Sequence, residues 1–130
     1  MFVNVSNHPS SLWLKNQRKN AMEYGEIVDV AFPAIYKEYN SSKYDELVEE
    51  YLEKILILQP EAVMVQGEFI FTYRLVKELK ERSIKVLSSR SERVSKEFKD
   101  ENDVIHKHSI FEFVGFQEYY MVMFILCILV

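Results

Sequence analysis

The sequence predicts a small α/β domain in three layers, with a mostly parallel sheet and a C-terminal β-hairpin. Four short apolar segments alternate with stretches of helical period, which is the pattern of βαβ units with right-handed crossovers. After the fourth segment, two alternating stretches separated by charged turn residues indicate a hairpin. The length of 130 residues and the apolar fraction of 48 % fit one domain with one core.

The N-terminal part is predicted to form a strand, a loop and a helix. Residues 2–6 are the first apolar segment, and the Pro and small polar residues of 7–11 indicate a loop. A helix capped by Ser10 or Ser11 is expected to run to about Tyr24. The candidates for its inner face are Leu12, Ala21 and Met22.

The middle of the chain carries a second strand and a second helix. Residues 27–32 form an apolar segment that Pro33 ends, and residues 34–42 are expected to be irregular. A helix is predicted over residues 44–58, with an acidic, solvated outer side. Its inner face is expected to contain Leu47, Val48, Tyr51, Leu52 and Ile55.

A strand, a tight turn and a helix follow, and the prediction is organised around them. Residues 62–66 lead to Gly67, after which a helical pattern extends to Lys80. The expected inner positions, spaced by the period of one helix face, are Phe69, Tyr73, Val76 and Leu79. Open α/β sheets bind ligands at such carboxyl ends of strands, and a helix N-terminus favours phosphate. A single glycine is far short of a dinucleotide or Walker fingerprint.

The C-terminal part is predicted to complete the sheet. Residues 84–88 form a fourth strand, followed by a polar, doubly basic segment over 90–93. Alternation over 94–98 and 104–113 predicts the hairpin. The domain is expected to end at about residue 119. The apolar tail over 120–130 is shorter than the roughly 20 residues of a membrane-spanning helix, which leaves a buried strand, a membrane-touching end or an out-of-frame extension open.

Charge and cysteine content narrow the classes of partner. A net charge of −4 gives no support for binding duplex nucleic acid, which needs a basic surface. The only cysteine, Cys127, allows neither an internal disulfide nor a cysteine-based metal site. No metal or cofactor is expected. Because the N-terminus lacks the features of a signal peptide, we expect a cytoplasmic protein that does not enter a membrane.

Parallel strands end at one edge of the sheet, so the polar residues that follow them are expected to converge there. Arg90 and Arg93 suit phosphate, which guanidinium groups bind in forked geometry. His8 is the side chain at this edge that titrates near neutral pH. The expected ligand-binding residues are Ser6, Asn7, Gln66, Gly67, Glu68, Thr72, Ser88 and Ser91. Together these residues predict a site for a phosphorylated or nucleotide-like ligand.

These residues also have structural interpretations. His8 fits turn chemistry after a strand, and Gly67 fits a requirement of the backbone. The two arginines are equally compatible with surface solvation, and Trp13 and Tyr73 are expected in the core. The sequence leaves the two sets of interpretations open.

The motifs resemble a family of small single-domain proteins encoded beside type III CRISPR systems, which are similar to the Rossmann-like (CARF-like) sensor domain that binds cyclic oligoadenylate. The resemblance spans Met1 to about Tyr119. The residues that carry it are Ser6–Ser10, Trp13, Gln17, Phe32–Pro33, Val65–Phe69, Thr72–Tyr73, Ser91–Arg93 and Phe113–Tyr119.

This resemblance implies a ring nuclease that cleaves cyclic oligoadenylate without metal. A ribose 2′-hydroxyl would attack the neighbouring phosphate, leaving 2′,3′-cyclic phosphate ends, a reaction that needs in-line positioning and charge stabilisation. His8 would act as general acid or base, Arg90 or Arg93 would stabilise the phosphorane, and a twofold ligand would favour a homodimer. The alternatives are a nucleotide-binding sensor or sequestering module without catalysis, and a protein-interaction subunit.

Overall fold

A computed structural model describes residues 1–120 of the chain. The eight helices and strands of this part follow in the order β1 (Phe2–Ser6), α1 (Lys15–Met22), β2 (Ile27–Ala31), α2 (Ser41–Ile57), β3 (Ala62–Val65), α3 (Phe69–Glu81), β4 (Lys85–Lys99) and β5 (Ile105–Glu118). A 3₁₀ turn over Ser10–Leu12 precedes α1. Of the predicted apolar tail over 120–130, residues 121–130 lie outside the described part of the chain. None of the helices within residues 1–120 is long and apolar enough to cross a membrane.

The strands form one five-stranded sheet in the order β2-β1-β3-β4-β5. The first four strands are parallel, and β5 runs antiparallel to β4. The predicted α/β class, with a mostly parallel sheet and a C-terminal hairpin, is therefore confirmed. The carboxyl ends of β1, β2 and β3 lie at one edge of the sheet.

One face of the sheet is a continuous apolar layer. The valines of β1, β3 and β4 on this face pack against α2 and α3. Strand residues alternate between the two faces, so these valines occur at every second position. The buried side chains of this layer include Val3, Val5, Val63, Val65, Val86, Val48, Leu52, Ile55, Phe71, Leu75 and Leu79.

The other face is covered by α1 and is only partly apolar. Phe2, Met64 and Leu87 pack there against Trp13 and Ala21. The Phe2 and Trp13 rings meet edge to face, with centroids 6.1 Å apart. Helices on both faces of the sheet give the three layers that the sequence predicted.

The hairpin is much longer than predicted, and the polar segment over 90–93 is part of its first strand. β4 pairs with β3 only as far as Leu87 and then continues to Lys99 paired with β5 alone. Arg90 to Arg93 are polar because both faces of this ribbon meet solvent, so polarity did not signal a loop here. A register shift opposite Arg90 and Ser91 makes Val114 the extra residue of a bulge, next to Gly115 at φ 146°.

Two helix predictions need correction. The main helix of the N-terminal region begins at Lys15 rather than Ser10, and Leu12 and Met22 are exposed, whereas Ala21 is buried as expected. In α3, Phe69 and Tyr73 are exposed, and Phe71 and Leu75 are buried instead. Two overlapping apolar stripes share Val76 and Leu79, so the spacing alone could not select the buried one.

Candidate functional site

A cleft of about 640 Å³ opens at the carboxyl edge of the sheet, between the loops that follow β1 and β3. Neighbouring strands whose connections leave in opposite directions create the crevice in which open α/β sheets bind ligands. β1 and β3 are such a pair in this sheet. The lining residues are Ser6, Asn7, His8, Leu12, Trp13, Leu14, Gln17, Met64, Gln66, Gly67, Phe69, Ser89, Ser91, Phe111 and Phe113.

The loop after β1 is held by a buried polar side chain of the strand itself. Asn4 is 1 % exposed and lies on the α1 face of the sheet. Its Nδ2 donates to the backbone oxygen of His8 at 3.0 Å, and its Oδ1 accepts from the Ser6 hydroxyl at 2.7 Å. The indole Nε1 of Trp13 donates to the same His8 oxygen at 2.9 Å. The loop therefore has a fixed path that leaves the His8 ring exposed at the cleft.

Asp29 of β2 completes this network from the neighbouring strand. One carboxylate oxygen accepts from Asn4 Nδ2 at 2.9 Å, and the other accepts from the Ser10 hydroxyl at 3.0 Å. The Ser10 backbone N–H also donates to the carboxylate. The sequence analysis missed Asn4 and Asp29 because it assigned them to strands. The sequence feature that could have identified them is a polar residue inside an apolar strand segment. A polar side chain that is buried in this way must find hydrogen-bond partners.

The loop after β3 is shaped by a close approach of two elements. A Cβ on Gly67 would collide with the ring of Phe32, which packs across the turn. Glycine is thus required for packing, in agreement with its structural interpretation. Gln66 turns its Oε1 towards β4 and accepts from the Ser89 N–H at 2.9 Å. The side-chain N–H groups of Gln66 are therefore the part of its carboxamide available to the cleft.

Glu68 caps α3 and does not line the cleft. Its carboxylate accepts from the backbone N–H groups of Ile70 and Phe71 and from the Tyr44 hydroxyl. The hydrogen bond to Glu68 raises the pKa of Tyr44 above its ordinary value. Since a carboxylate already occupies the start of this helix, the turn is a poor place for a second anion. Glu68, one of the expected ligand-binding residues, is therefore a helix cap outside the lining of the cleft.

Thr72 and Ser88 also lie away from the cleft. Thr72 is buried on the inner side of α3, and its hydroxyl has no hydrogen-bond partner within residues 1–120. Ser88 alternates with the cleft-lining Ser89 and therefore belongs to the opposite face of the sheet. Of the expected residues, the cleft brings together Ser6, Asn7, His8, Gln66, Gly67 and Ser91.

The two arginines face opposite sides of the ribbon. Ser89, Ser91 and Arg93 follow one another at every second position of β4, on the side of the cleft. Arg90 lies between them and points to the other side, as residues at odd spacing do in a strand. Arg93 is not part of the lining but pairs with the lining residue Phe111, and it donates to the Ser109 hydroxyl at 3.2 Å. The two guanidinium groups therefore extend from opposite faces of the ribbon, and only that of Arg93 is on the side of the cleft.

The lining is aromatic and polar but almost uncharged. It contains no Lys, Arg, Asp or Glu, and His8 is its only histidine. Phe69 is 88 % exposed and Phe111 is 70 % exposed at the rim, and Trp13 and Phe113 are buried in the wall. Sequence reasoning missed Phe111 and Phe113 because their role depends on the hairpin folding back beside α1.

The hairpin and α1 are joined at this wall. The Asn16 side chain donates to the backbone oxygen of Phe113 at 3.0 Å, across 97 residues of sequence. This contact fixes the base of β5 against the helix that follows the first loop. Within residues 1–120, no three His, Cys, Asp or Glu side chains are grouped closely enough to hold a metal ion.

The comparisons with known proteins give one finding at the level of a family. Neither the curated proteins nor the solved structures contain a match to the chain. The family model described as "Uncharacterized protein MJ1673 family" matches residues 1–117. This match covers all of the sheet except the last residue of β5, and both loops of the cleft. The chain therefore belongs to the MJ1673 family.

Proposed function

We propose that the cleft binds a nucleotide ligand, cyclic oligoadenylate first among the candidates. The observation that carries this proposal is the chemistry of the lining, where aromatic rings and carboxamides meet with a single histidine and no charged neighbours. Bases stack on exposed aromatic side chains, and carboxamides pair with base edges. The resemblance to small CRISPR-associated proteins supports the same class of ligand.

Cleavage of the bound ring is the reaction that these residues suit. The ribose 2′-oxygen forms a bond to phosphorus while the bond from phosphorus to the 5′-oxygen breaks. The 2′ proton passes to a base, and the leaving 5′-oxygen takes up a proton. His8 is the group of the cleft able to move a proton near neutral pH, and Arg93 is the nearest cation along the cleft side of the ribbon.

Binding without cleavage is the second candidate, favoured by a specific observation. In-line cleavage needs one group to accept a proton and another to donate one, and the lining offers His8 alone. A sensor or sequestering protein would need only the stacking and amide contacts. A ligand with twofold symmetry would then be held by two copies of the chain.

The test is incubation of the purified protein with cyclic tri-, tetra- and hexa-adenylate in EDTA, followed by chromatography of the products. Linear products with 2′,3′-cyclic phosphate ends support the nuclease. Intact ligand that raises the melting temperature supports the binding module, because a ligand of the folded state alone stabilises it. If the ligand is not cleaved and the melting temperature does not change, the proposal is overturned. Size-exclusion chromatography with and without the ligand tests the homodimer.

The ribbon provides a matched pair of variants for this assay. Arg93→Ala removes the cation on the cleft side and is expected to weaken binding by about tenfold, as for a hydrogen bond to a charged group. Arg90→Ala removes the same charge from the opposite face and is expected to leave binding unchanged. If the nuclease operates, His8→Ala is expected to lower the rate about a hundredfold or more. Equal effects of the two arginine variants would contradict a role for Arg93.

A further inference from the structure

Gln17 is a largely buried residue whose carboxamide makes no hydrogen bond within residues 1–120. It lies on α1, is 7 % exposed, and forms part of the cleft wall. Its backbone N–H donates to the Asn16 side chain, but no hydrogen bond to its carboxamide exists within residues 1–120. The fully buried side-chain atom without a partner in this part of the chain is the Thr72 hydroxyl oxygen, so the polar atoms of Gln17 keep some exposure, at the cleft that the residue lines.

The other buried amide of this face makes the contrast plain. Asn4 uses both its Nδ2 and its Oδ1 in bonds to His8, Asp29 and Ser6. The amide of Asn4 is therefore satisfied by hydrogen bonds within the protein, whereas the Gln17 carboxamide makes no such bond within residues 1–120. A carboxamide in the wall of the cleft that makes no hydrogen bond within residues 1–120 is placed to meet whatever the cleft binds.

We propose that Gln17 recognises the edge of an adenine base held in the cleft, an inference that rests on the proposed function and names the base that the site selects. A carboxamide offers one donor and one acceptor side by side. Adenine presents the complementary pair in its 6-amino group and the neighbouring ring nitrogen. Gln66 has its Oε1 occupied by Ser89 and adds donors only.

The rest of the lining favours adenine over guanine. Guanine is most often bound by Arg or Lys at its O6 and N7 atoms, and cytosine by carboxylates at its amino group. Neither kind of side chain lines the cleft. The exposed ring of Phe69 and that of Phe111 provide apolar surfaces at the rim on which a flat base can stack.

The experiment compares adenosine with purine riboside, which lacks only the 6-amino group, by isothermal titration calorimetry on the full chain. The wild-type protein is expected to bind adenosine about tenfold more tightly, the discrimination of a bidentate amide contact. Gln17→Met keeps the length of the side chain and removes its polar atoms. This variant is expected to bind both nucleosides equally, and to bind purine riboside less tightly than the wild type does, because the hydrogen bond to the ring nitrogen is lost as well.

A matched control and five outcomes keep the inference distinct from the function it deepens. Gln117→Met changes an exposed glutamine of β5 outside the cleft and is expected to retain the discrimination. Discrimination lost only in Gln17→Met supports the inference. Three other results each overturn the inference and leave the proposed function standing. They are discrimination that is kept in Gln17→Met, equal binding of both nucleosides by the wild type, and binding of cyclic oligoadenylate without binding of adenosine. Failure of every nucleoside and every cyclic oligoadenylate overturns the proposed function itself.

Discussion

The two faces of the sheet are built from the same strands and differ in what they bury. On the face that carries α2 and α3, the buried strand residues are valines, and the helices complete a dry layer. On the α1 face, Phe2 and Met64 alternate along the strands with Asn4 and Gln66. Alternation with period two lets one strand serve both purposes at once.

The difference separates stability from ligand chemistry. Apolar burial drives folding and needs no direction, so the valine face can be filled by shape alone. Buried polar groups must be paired, and on the α1 face the pairs define the path of the first loop and the position of Gln66. Variants on the two faces should therefore change different properties of the molecule.

The largest loss of stability is expected from a variant on the valine face, which packs against α2 and α3. Phe71 is fully buried and packs edge to face against Phe32 and Tyr51, with centroids 5.2 Å apart in each case. Phe71→Ala is expected to lower the free energy of unfolding by about 3–5 kcal/mol, measured by urea denaturation. Phe69→Ala, at an exposed position one half-turn earlier in α3, is the control and should stay within about 0.5 kcal/mol. Similar losses in both variants would refute the assignment of the buried stripe of α3.

A smaller loss of stability, with a local signature, is expected from the polar face. Asn4→Ala removes the donor to His8 and Asp29 and should cost about 1–3 kcal/mol. Trp13 donates to the same His8 oxygen and is the only tryptophan, so its fluorescence reports on the loop. Loosening of the loop is expected to shift its emission to longer wavelength.

Asn20→Ala provides the control for this comparison. Asn20 is exposed on α1, and within residues 1–120 its side chain bonds only to the backbone oxygen of Asn16. Neither the free energy of unfolding nor the Trp13 emission of the Asn20→Ala variant is expected to differ from that of the wild type. Unchanged emission in Asn4→Ala, together with a loss below about 0.5 kcal/mol, would mean that the buried network does not hold the loop.

The valine face was largely predictable from the sequence, and the polar face was not. Apolar segments and helical periods placed β1, β2, β3 and α2, because burial on a sheet or helix leaves a local pattern. The stripe of α3 was ambiguous, since Phe69 and Phe71 both continue an apolar period. The cleft depends on contacts such as Asn4 with Asp29 and Asn16 with Phe113, which join residues 25 and 97 positions apart. No local pattern contains such distances.

The arginines illustrate the same limit at shorter range. Once Ser88 to Arg93 are assigned to a strand, alternation alone separates Arg90 from Arg93. The polar composition of this segment concealed the strand, because a ribbon exposed on both faces lacks the apolar alternation of a half-buried one. Only the pairing of β4 with β5 along its whole length identifies it.

The smallest change in stability is expected at the junction of α3 and β5. Lys80 of α3 and Glu118 of β5 form an ion pair with a distance of 2.8 Å between Nζ and Oε1, and the hydrogen bond from Lys80 lowers the pKa of Glu118 below its ordinary value of 4.5. Because the pKa is lower in the folded state, the unfolded state binds the proton more tightly. The contribution is therefore complete above about pH 4.5 and is lost as the pH falls through the folded-state pKa. Partial exposure limits it to less than about 1 kcal/mol.

Glu118→Gln removes the contribution of the ion pair to stability, and the glutamine at this position has no ionisable side chain. The wild type is expected to melt slightly above the variant at pH 7, and the difference should vanish as the pH is lowered towards 3, a range below the ordinary glutamate pKa. Glu101→Gln, in the exposed hairpin turn, is expected to show no such pH-dependent difference. A difference for Glu118→Gln that persists at low pH would assign its effect to packing at the α3–β5 junction. In that case the ion pair would contribute nothing, and the valine face would extend to the base of the hairpin.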